Sequence, residues 1–192
     1  MYSSKYSLEA RLLTSLACIG LGSGCWDPDP RTIEGAIEAA AVAVEHDDAP
    51  ALYLLIDVRT RHALAGIVDA RSKARTVIQR DYPKGEVGAA LARLGPPAAT
   101  AAELFALRCD SPCLADFAGK LGAPERTEKR GNVTVVTTVR GTRLDMYSVD
   151  GGWYGLVWRT DEYIAERDRA SRDLAQIEDN AAVYRRRNQL SQ

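Results

Sequence analysis

The side chains that most often carry catalysis are few in this chain of 192 residues. The two histidines, His46 and His62, stand in no His-x-x-His or His-Glu-x-x-His pattern, so a zinc hydrolase is not indicated. The run Glu45-His46-Asp47-Asp48 is rich in metal-binding residue types, but a solvated turn at a helix end commonly explains such a run. No nucleophile elbow and no Walker loop occur. We therefore predict no catalytic residue, no metal site and no cofactor, and interpret the chain as a protein that is not an enzyme.

The most reactive pair in the sequence is Cys109 and Cys113, which are separated by Asp-Ser-Pro. In an oxidising compartment this pair would form a small disulfide; in a reducing one the residues would be two free thiols at a helix start. A structural zinc site needs four ligands, and no second cysteine pair or nearby histidine supplies them. Because no histidine is near Cys109 in the sequence, a nucleophilic role for that thiol is not favoured.

Residues 1–24 have the pattern of a cleavable signal peptide. Lys5 and Arg11 supply the positive start, and residues 12–21 form an uncharged apolar run of the length that such signals have. Residues 22–24 are the small residues that a signal peptidase needs. The alternative is a buried N-terminal helix, but the glycines in this stretch are poor helix formers.

Cys25 directly follows the small residues, and the segment Leu-Gly-Ser-Gly-Cys resembles a bacterial lipobox, with its leucine one position earlier than usual. We therefore predict lipidation of Cys25, a tether over residues 25–31, and a protein anchored in the bacterial cell envelope that faces the periplasm. Cleavage without lipidation is the alternative, and the protein would then be secreted.

Residues 32–192 are predicted to form a single α+β domain. Apolar residues recur at helical spacing up to residue 121, which predicts an N-terminal helical region. Its predicted helices include 49–58, with Asp48 as N-cap, 60–68, 70–82, and 100–108, with Thr100 as N-cap. Three segments then alternate between β-branched or aromatic and polar residues, and predict a three-stranded antiparallel meander: 132–140, 142–149 and 153–158. Thr160 would cap a long C-terminal helix that runs to residue 187.

Two surfaces of this domain are candidates for binding. Aromatic residues cluster on the last two strands, and those not needed in the core would line a ligand groove: Tyr147, Trp153, Tyr154 and Trp158. The last helix carries a heptad-like apolar seam, which would pack on the chain's own sheet, on a helix of an envelope protein partner or on a second copy in a dimer: Ala170, Leu174, Ile177, Ala181 and Tyr184.

The charge of the chain is balanced, with a formal net charge of −1, so nucleic acid is not predicted as a partner. One local basic excess lies in residues 59–84. It could face anionic lipid or peptidoglycan, although a solvated helical face is the commoner explanation.

Two groups of residues carry a resemblance to known families. The closing hairpin Asp150-Gly151-Gly152-Trp153 is similar to the one that ends many cystatin-like (NTF2-like) periplasmic domains. A second pattern resembles a group of uncharacterised lipoproteins from myxobacteria and related bacteria, on Asp48, Leu52, Tyr53, Leu55, Ile56, Arg61, Tyr82 and Pro83. The resemblance implies a binding or assembly module without known catalytic residues. The chain departs from the cystatin-like pattern because that sheet is larger and curved.

These observations together favour a cell-envelope lipoprotein that acts as a binding or scaffolding module. A periplasmic small-molecule-binding domain is the first alternative, with a pocket between the aromatic hairpin and the helices. An enzyme that uses carboxylates not singled out by the sequence is the second.

Overall fold

The computed structural model describes residues 28–148 and 152–190. The predicted signal peptide (1–24) and the predicted lipidation site Cys25 lie outside this range. The described residues form helices packed around a four-stranded antiparallel sheet in the order β1-β2-β3-β4, which confirms the α+β class. The helices are α1 (Ile33–Glu45), α2 (Ala49–Leu54), α3 (Val58–Asp81), α4 (Lys84–Arg93), α5 (Ala101–Ala106), α6 (Ser111–Lys120) and α7 (Thr160–Leu190). The strands are β1 (Pro124–Arg130), β2 (Val133–Thr138), β3 (Arg143–Ser148) and β4 (Tyr154–Leu156).

Short polar side chains begin most of the early helices. Thr32, Asp48, Thr100 and Asp110 each accept a hydrogen bond from the backbone N–H three residues further on, which satisfies one of the free amides of the first turn. The capping roles predicted for Asp48 and Thr100 are thereby confirmed. Such caps are legible in the sequence because donor and acceptor lie within one turn.

The prediction of three strands was wrong by one. The missed strand is β1, whose sequence Pro-Glu-Arg-Thr-Glu-Lys-Arg lacks the apolar alternation that marks a half-buried strand. It lies at the edge of the sheet and pairs with β2, and its residues after Pro124 are exposed. Charged side chains on an edge strand prevent it from pairing with other chains. The position of β1 at the edge therefore explains its charged sequence.

The opposite edge of the sheet is partly covered by the segment that precedes α3. Ile56 forms a parallel bridge with Leu156, and the Asp57 amide donates to the Leu156 carbonyl at 2.9 Å. The main core lies between the helices and the face of the sheet that carries Met146 and Leu156. Its largest fully buried side chains include Phe105, Leu52 and Met146.

Helices α3 and α7 run side by side and parallel. Thr60 meets Thr160 at their N-terminal ends, and Asp81 meets Arg185 near the C-terminal end of α3. The seam of α7 therefore packs on α3, where Leu174 and Ile177 join a second, smaller cluster. The predicted packing of this seam on the sheet was wrong, because the seam contacts α3 instead.

Residues 28–31, the described part of the predicted tether, lie against the domain. The Pro30 carbonyl accepts a hydrogen bond from the Tyr154 amide at 3.0 Å. A Cβ atom added to Gly35 would come within 2.1 Å of the Asp29 carbonyl oxygen, so only glycine allows this close approach. Within the described ranges, none of the helices combines the length and apolarity that crossing a bilayer requires.

Candidate functional site

An open groove of about 500 Å³ lies between α4 and α7. Its floor is apolar and consists of Ile78, Leu94 and Ile177. Polar groups of both helices stand at its rim. The remaining lining residues are Tyr82, Gly85, Glu86, Ala89, Ala90, Arg93, Asp173, Gln176, Asn180 and Tyr184.

The groove exists because α4 packs on α3 without closing against α7. The chain turns at Tyr82 and Pro83, since proline disfavours continuation of α3, and α4 then runs back along it. The α4 wall toward α7 carries Gly85 and Ala89, one turn apart, and these small residues leave a gap that larger side chains would fill. None of the residues of α4 is buried.

Contacts at the two ends hold α4 in place. At one end, the Tyr184 hydroxyl donates to Glu86 at 2.6 Å, and the rings of Tyr82 and Tyr184 lie 5.0 Å apart. The hydrogen bond to Glu86 raises the pKa of Tyr184, so the hydroxyl keeps its proton at neutral pH. At the other end, Arg75 donates to the Gly95 carbonyl just after α4. The groove is therefore open along its middle and pinned at both ends.

The four aromatic residues predicted to line a ligand groove are not brought together. Trp158 lies inside an aromatic cluster, with ring centroids 5.3 Å from Phe105 and 5.7 Å from Tyr163. Tyr154 is half-buried against the main core, whereas Trp153 is 59% exposed.

Tyr147 lies on the other face of the sheet. It pairs with Gly155, whereas the neighbouring pair Met146 and Leu156 points into the core. The Arg59 guanidinium sits over its ring at 4.2 Å. No single groove could thus use the four aromatics together.

The most buried carboxylate is Asp57, which sequence reasoning did not single out. It caps α3, and its Oδ1 accepts from the amide and the Nε of Arg59 at 3.0 and 2.9 Å. Its Oδ2 accepts from the hydroxyls of Thr60 and Thr160 at 2.6 and 2.8 Å. The negative charge thus stands between the N-termini of two parallel helices, where both dipoles favour it. This arrangement is saturated and indicates a structural role.

A second carboxylate, Glu166, is shared by two arginines. Arg71 donates to it at 2.7 Å, and Arg108 donates with both terminal nitrogens at 2.7 and 2.5 Å. Burial acts to raise the pKa of Glu166, but the hydrogen bonds and charges of the arginines outweigh it and lower that pKa. Glu166 is therefore ionised at neutral pH and serves to orient both guanidinium groups.

The predicted pairing of Cys109 with Cys113 is confirmed at the level of geometry. Their sulfur atoms lie 2.08 Å apart, at disulfide distance. Cys109 is buried in the segment between α5 and α6, and Cys113 lies in the first turn of α6, so the link ties that segment to the start of α6. Within the described residues, no group of three or more possible metal ligands comes together.

No protein-family model, curated protein or solved structure matches this chain. The resemblance to myxobacterial lipoproteins and to cystatin-like domains therefore stays a prediction. Sequence reasoning named Ile177 and Tyr184 as part of a seam but missed the groove they line. The available signal was the pair Gly85 and Ala89 at helical spacing on a short, otherwise polar helix.

Proposed function

We propose that this chain is an exported cell-envelope protein that acts without catalysis, as a binding module whose groove between α4 and α7 receives an amphipathic helix of a partner protein. The observation that carries the proposal is the groove itself, which stands open between two helices above the buried side chains of Ile78 and Leu94 and the partly buried Ile177. Amphipathic helices bind in apolar grooves through side chains spaced at i, i+3, i+4 and i+7, which lie on one face of the helix.

The dimensions and chemistry of the groove fit a helix. The α4 wall is ten residues long, or about 15 Å, which matches roughly three turns of a guest helix. Gly85 and Ala89 allow the guest backbone to approach closely. Arg93 and Asp173 at one end and Glu86 at the other offer polar groups to the solvent-facing side of an amphipathic guest.

The N-terminal sequence pattern supports export to the cell envelope. A positive start, an apolar run and small residues before Cys25 together support cleavage after residue 24 and a lipid anchor at Cys25. The linked Cys109 and Cys113 support an oxidising compartment such as the periplasm. A secreted protein without the lipid is the alternative that shares this support.

A second candidate function is the binding of a small molecule in the same groove. Its volume of about 500 Å³ falls within the range of roughly 300–1,000 Å³ that ligand pockets occupy. This observation favours a compact, mostly apolar ligand held by hydrogen bonds from the rim. An enzyme that uses a carboxylate stays a hypothesis with no residue assigned to it.

The proposal is tested by photo-crosslinking in the envelope of an expressing bacterium. A benzoylphenylalanine replaces Asn180, which lines the groove, or Ala175, which is exposed on a different side of α7. The groove position should crosslink to one protein through a segment with an amphipathic helical pattern. Ala89→Trp, which fills the groove, should abolish that product while leaving the thermal unfolding midpoint within a few degrees of the unmodified protein.

The crosslinked segment is then synthesised as a peptide and titrated against the purified chain. Binding that Ala89→Trp weakens at least about tenfold supports the proposal. A small-molecule adduct in native mass spectra, lost in Ala89→Trp, would replace the helix with the second candidate. Equal crosslinking from Asn180 and Ala175 would contradict both. Intact mass of the membrane-fraction protein separately tests cleavage and lipidation at Cys25.

A further inference from the structure

A smaller cleft of about 220 Å³ lies beside α3, away from the groove between α4 and α7, and shares no lining residue with it. One wall is α3 and the other is the segment 96–99 that follows α4. The polar side chains in the cleft are Arg71, Ser72 and Arg75. The other lining residues are Val68, Pro96, Pro97, Ala98, Ala99 and Leu104.

Arg71 enters the cleft already oriented. One of its terminal nitrogens donates to Glu166 at 2.7 Å, and Arg108 fills the remaining positions on the same carboxylate. The three groups together carry a net charge of +1. Because a guanidinium has five N–H donors, Arg71 keeps donors for a further acceptor.

Arg75 adds a second positive charge one helical turn further along α3. Its terminal nitrogen donates to the Gly95 carbonyl, which is uncharged, so this hydrogen bond fixes the side chain without neutralising it. Lys73 and Asp69, which also lie on this helix, pair with each other at 2.7 Å and do not line the cleft. Arg75 thus contributes an uncompensated charge to a partly enclosed space.

The facing wall of the cleft offers little competition for these donors. The side chains of that wall, from residues 96–99 and Leu104, are apolar and carry no hydrogen-bond acceptor. The Glu103 carboxylate, on the same side, accepts a hydrogen bond from the Ala99 amide at 2.7 Å and does not line the cleft. Apolar walls reduce the screening of the arginine charges by water.

We propose that this cleft binds a phosphate group. Two oriented guanidinium forks and the Ser72 hydroxyl match an oxyanion with several acceptor oxygens, and guanidinium recognises phosphate with paired hydrogen bonds. The volume accommodates one phosphate group with a few attached atoms. Arg71 and Arg75, two of the basic residues in the segment 59–84, would thus have a binding role. The site shares no lining residue with the proposed helix-binding groove, although Arg75 also holds the end of α4 through the Gly95 carbonyl.

The test is isothermal titration of the purified full chain with inorganic phosphate at low ionic strength. Binding should weaken at least about tenfold in Arg75→Gln, because a charge-assisted contact is lost, and a few-fold in Ser72→Ala. Arg75→Lys should fall between, since lysine keeps the charge but lacks the fork. Arg126→Gln, which removes an exposed arginine from β1, is the matched control and should leave affinity unchanged.

Two further arms identify the source of the phosphate. Tighter binding of glycerol 3-phosphate than of inorganic phosphate supports a soluble monoester. Recruitment to phosphatidylcholine vesicles that contain phosphatidic acid, lost in Arg75→Gln, supports a lipid headgroup. Failure of the unmodified chain to bind inorganic phosphate would overturn the proposal. Equal weakening by Arg75→Gln and Arg126→Gln would also overturn it, because binding would then be a general effect of charge.

Discussion

Two carboxylates organise the charged interior of this protein at the residue scale. Asp57 receives four hydrogen bonds between the starts of α3 and α7, and Glu166 receives three from Arg71 and Arg108. Asp57 has local partners in Arg59 and Thr60, but its contact with Thr160, and that of Glu166 with Arg108, join residues distant along the chain, which the sequence does not indicate. Local chemistry was visible only where the partner lies within one turn, as for the caps Asp48 and Thr100.

Replacement of Asp57 should be far more costly than replacement of a comparable exposed cap. Asp57→Asn loses the charge that two helix N-termini and two hydroxyls stabilise, and we expect the free energy of unfolding to fall by about 2–4 kcal/mol. Asp48→Asn is the matched control, because Asp48 is an exposed cap with one hydrogen bond, to Ala51 at 2.9 Å, and should change stability by less than about 0.5 kcal/mol. Urea unfolding measures both. Equal effects would contradict the role assigned to Asp57.

The lowered pKa of Glu166 predicts how stability depends on pH. Because the folded-state pKa lies below the ordinary value of 4.5, the stabilisation is fully present above that value and is lost as pH falls through the folded pKa. Glu166→Gln should therefore reduce the free energy of unfolding by about 1–3 kcal/mol at pH 7, discounted for its partial exposure. The difference from the unmodified protein should shrink steadily below pH 4.5. A difference that stays constant down to the most acidic pH would show that the arginine contacts are not electrostatic.

The elements were predictable where local signals are strong and not where packing decides. Residues 60–68 and 70–82 were expected as two helices but form the single helix α3, since no glycine or proline interrupts them at the junction. The helix predicted over 49–58 ends at Leu54, because the following residues pair with β4. Such pairing is a tertiary contact that the periodicity of one segment cannot reveal.

The close approach of the α3 start to β4 can be tested at Gly155. A Cβ atom there would lie 2.6 Å from the Asp57 Cα, so Gly155→Ala forces backbone to move and should lower the free energy of unfolding by about 2 kcal/mol or more. Gly119→Ala in α6 is the control, because no atom outside its own helix lies within 4 Å, and alanine should stabilise that helix by about 0.5–1 kcal/mol. Thermal unfolding of both variants distinguishes them. A neutral Gly155→Ala would show that β4 does not dock as described.

The whole molecule has two unequal apolar clusters joined by the parallel pair α3 and α7. The main cluster lies between the sheet and the surrounding helices, and the second consists of Ala74, Ile78 and Leu94 with partly buried neighbours. The class of fold followed from the sequence, but the parallel pairing and the groove did not. The groove depends on how α4 and α7 are placed relative to each other, and the sequence pattern of a single segment does not reveal that placement.

Because α4 packs only on the smaller cluster, we expect it to unfold locally more readily than the rest of the domain. None of its residues is buried, whereas Leu64 and Ile67 in the first half of α3 are fully covered. In hydrogen exchange monitored by mass spectrometry, α4 amides should exchange at least about tenfold faster than those around Leu64 and Ile67. A bound guest helix should slow exchange in α4 specifically. Protection of α4 equal to that of α3 in the free protein would mean that the groove wall is rigid.

The central claim is that the open face between α4 and α7 is where this protein meets its partner. The most direct measurement is the ratio of crosslinked product from Asn180 to that from Ala175 in intact cells, with and without Ala89→Trp. The account predicts a ratio well above one that falls to about one when tryptophan fills the groove. A ratio near one in the unmodified protein, or one that Ala89→Trp leaves unchanged, would contradict it.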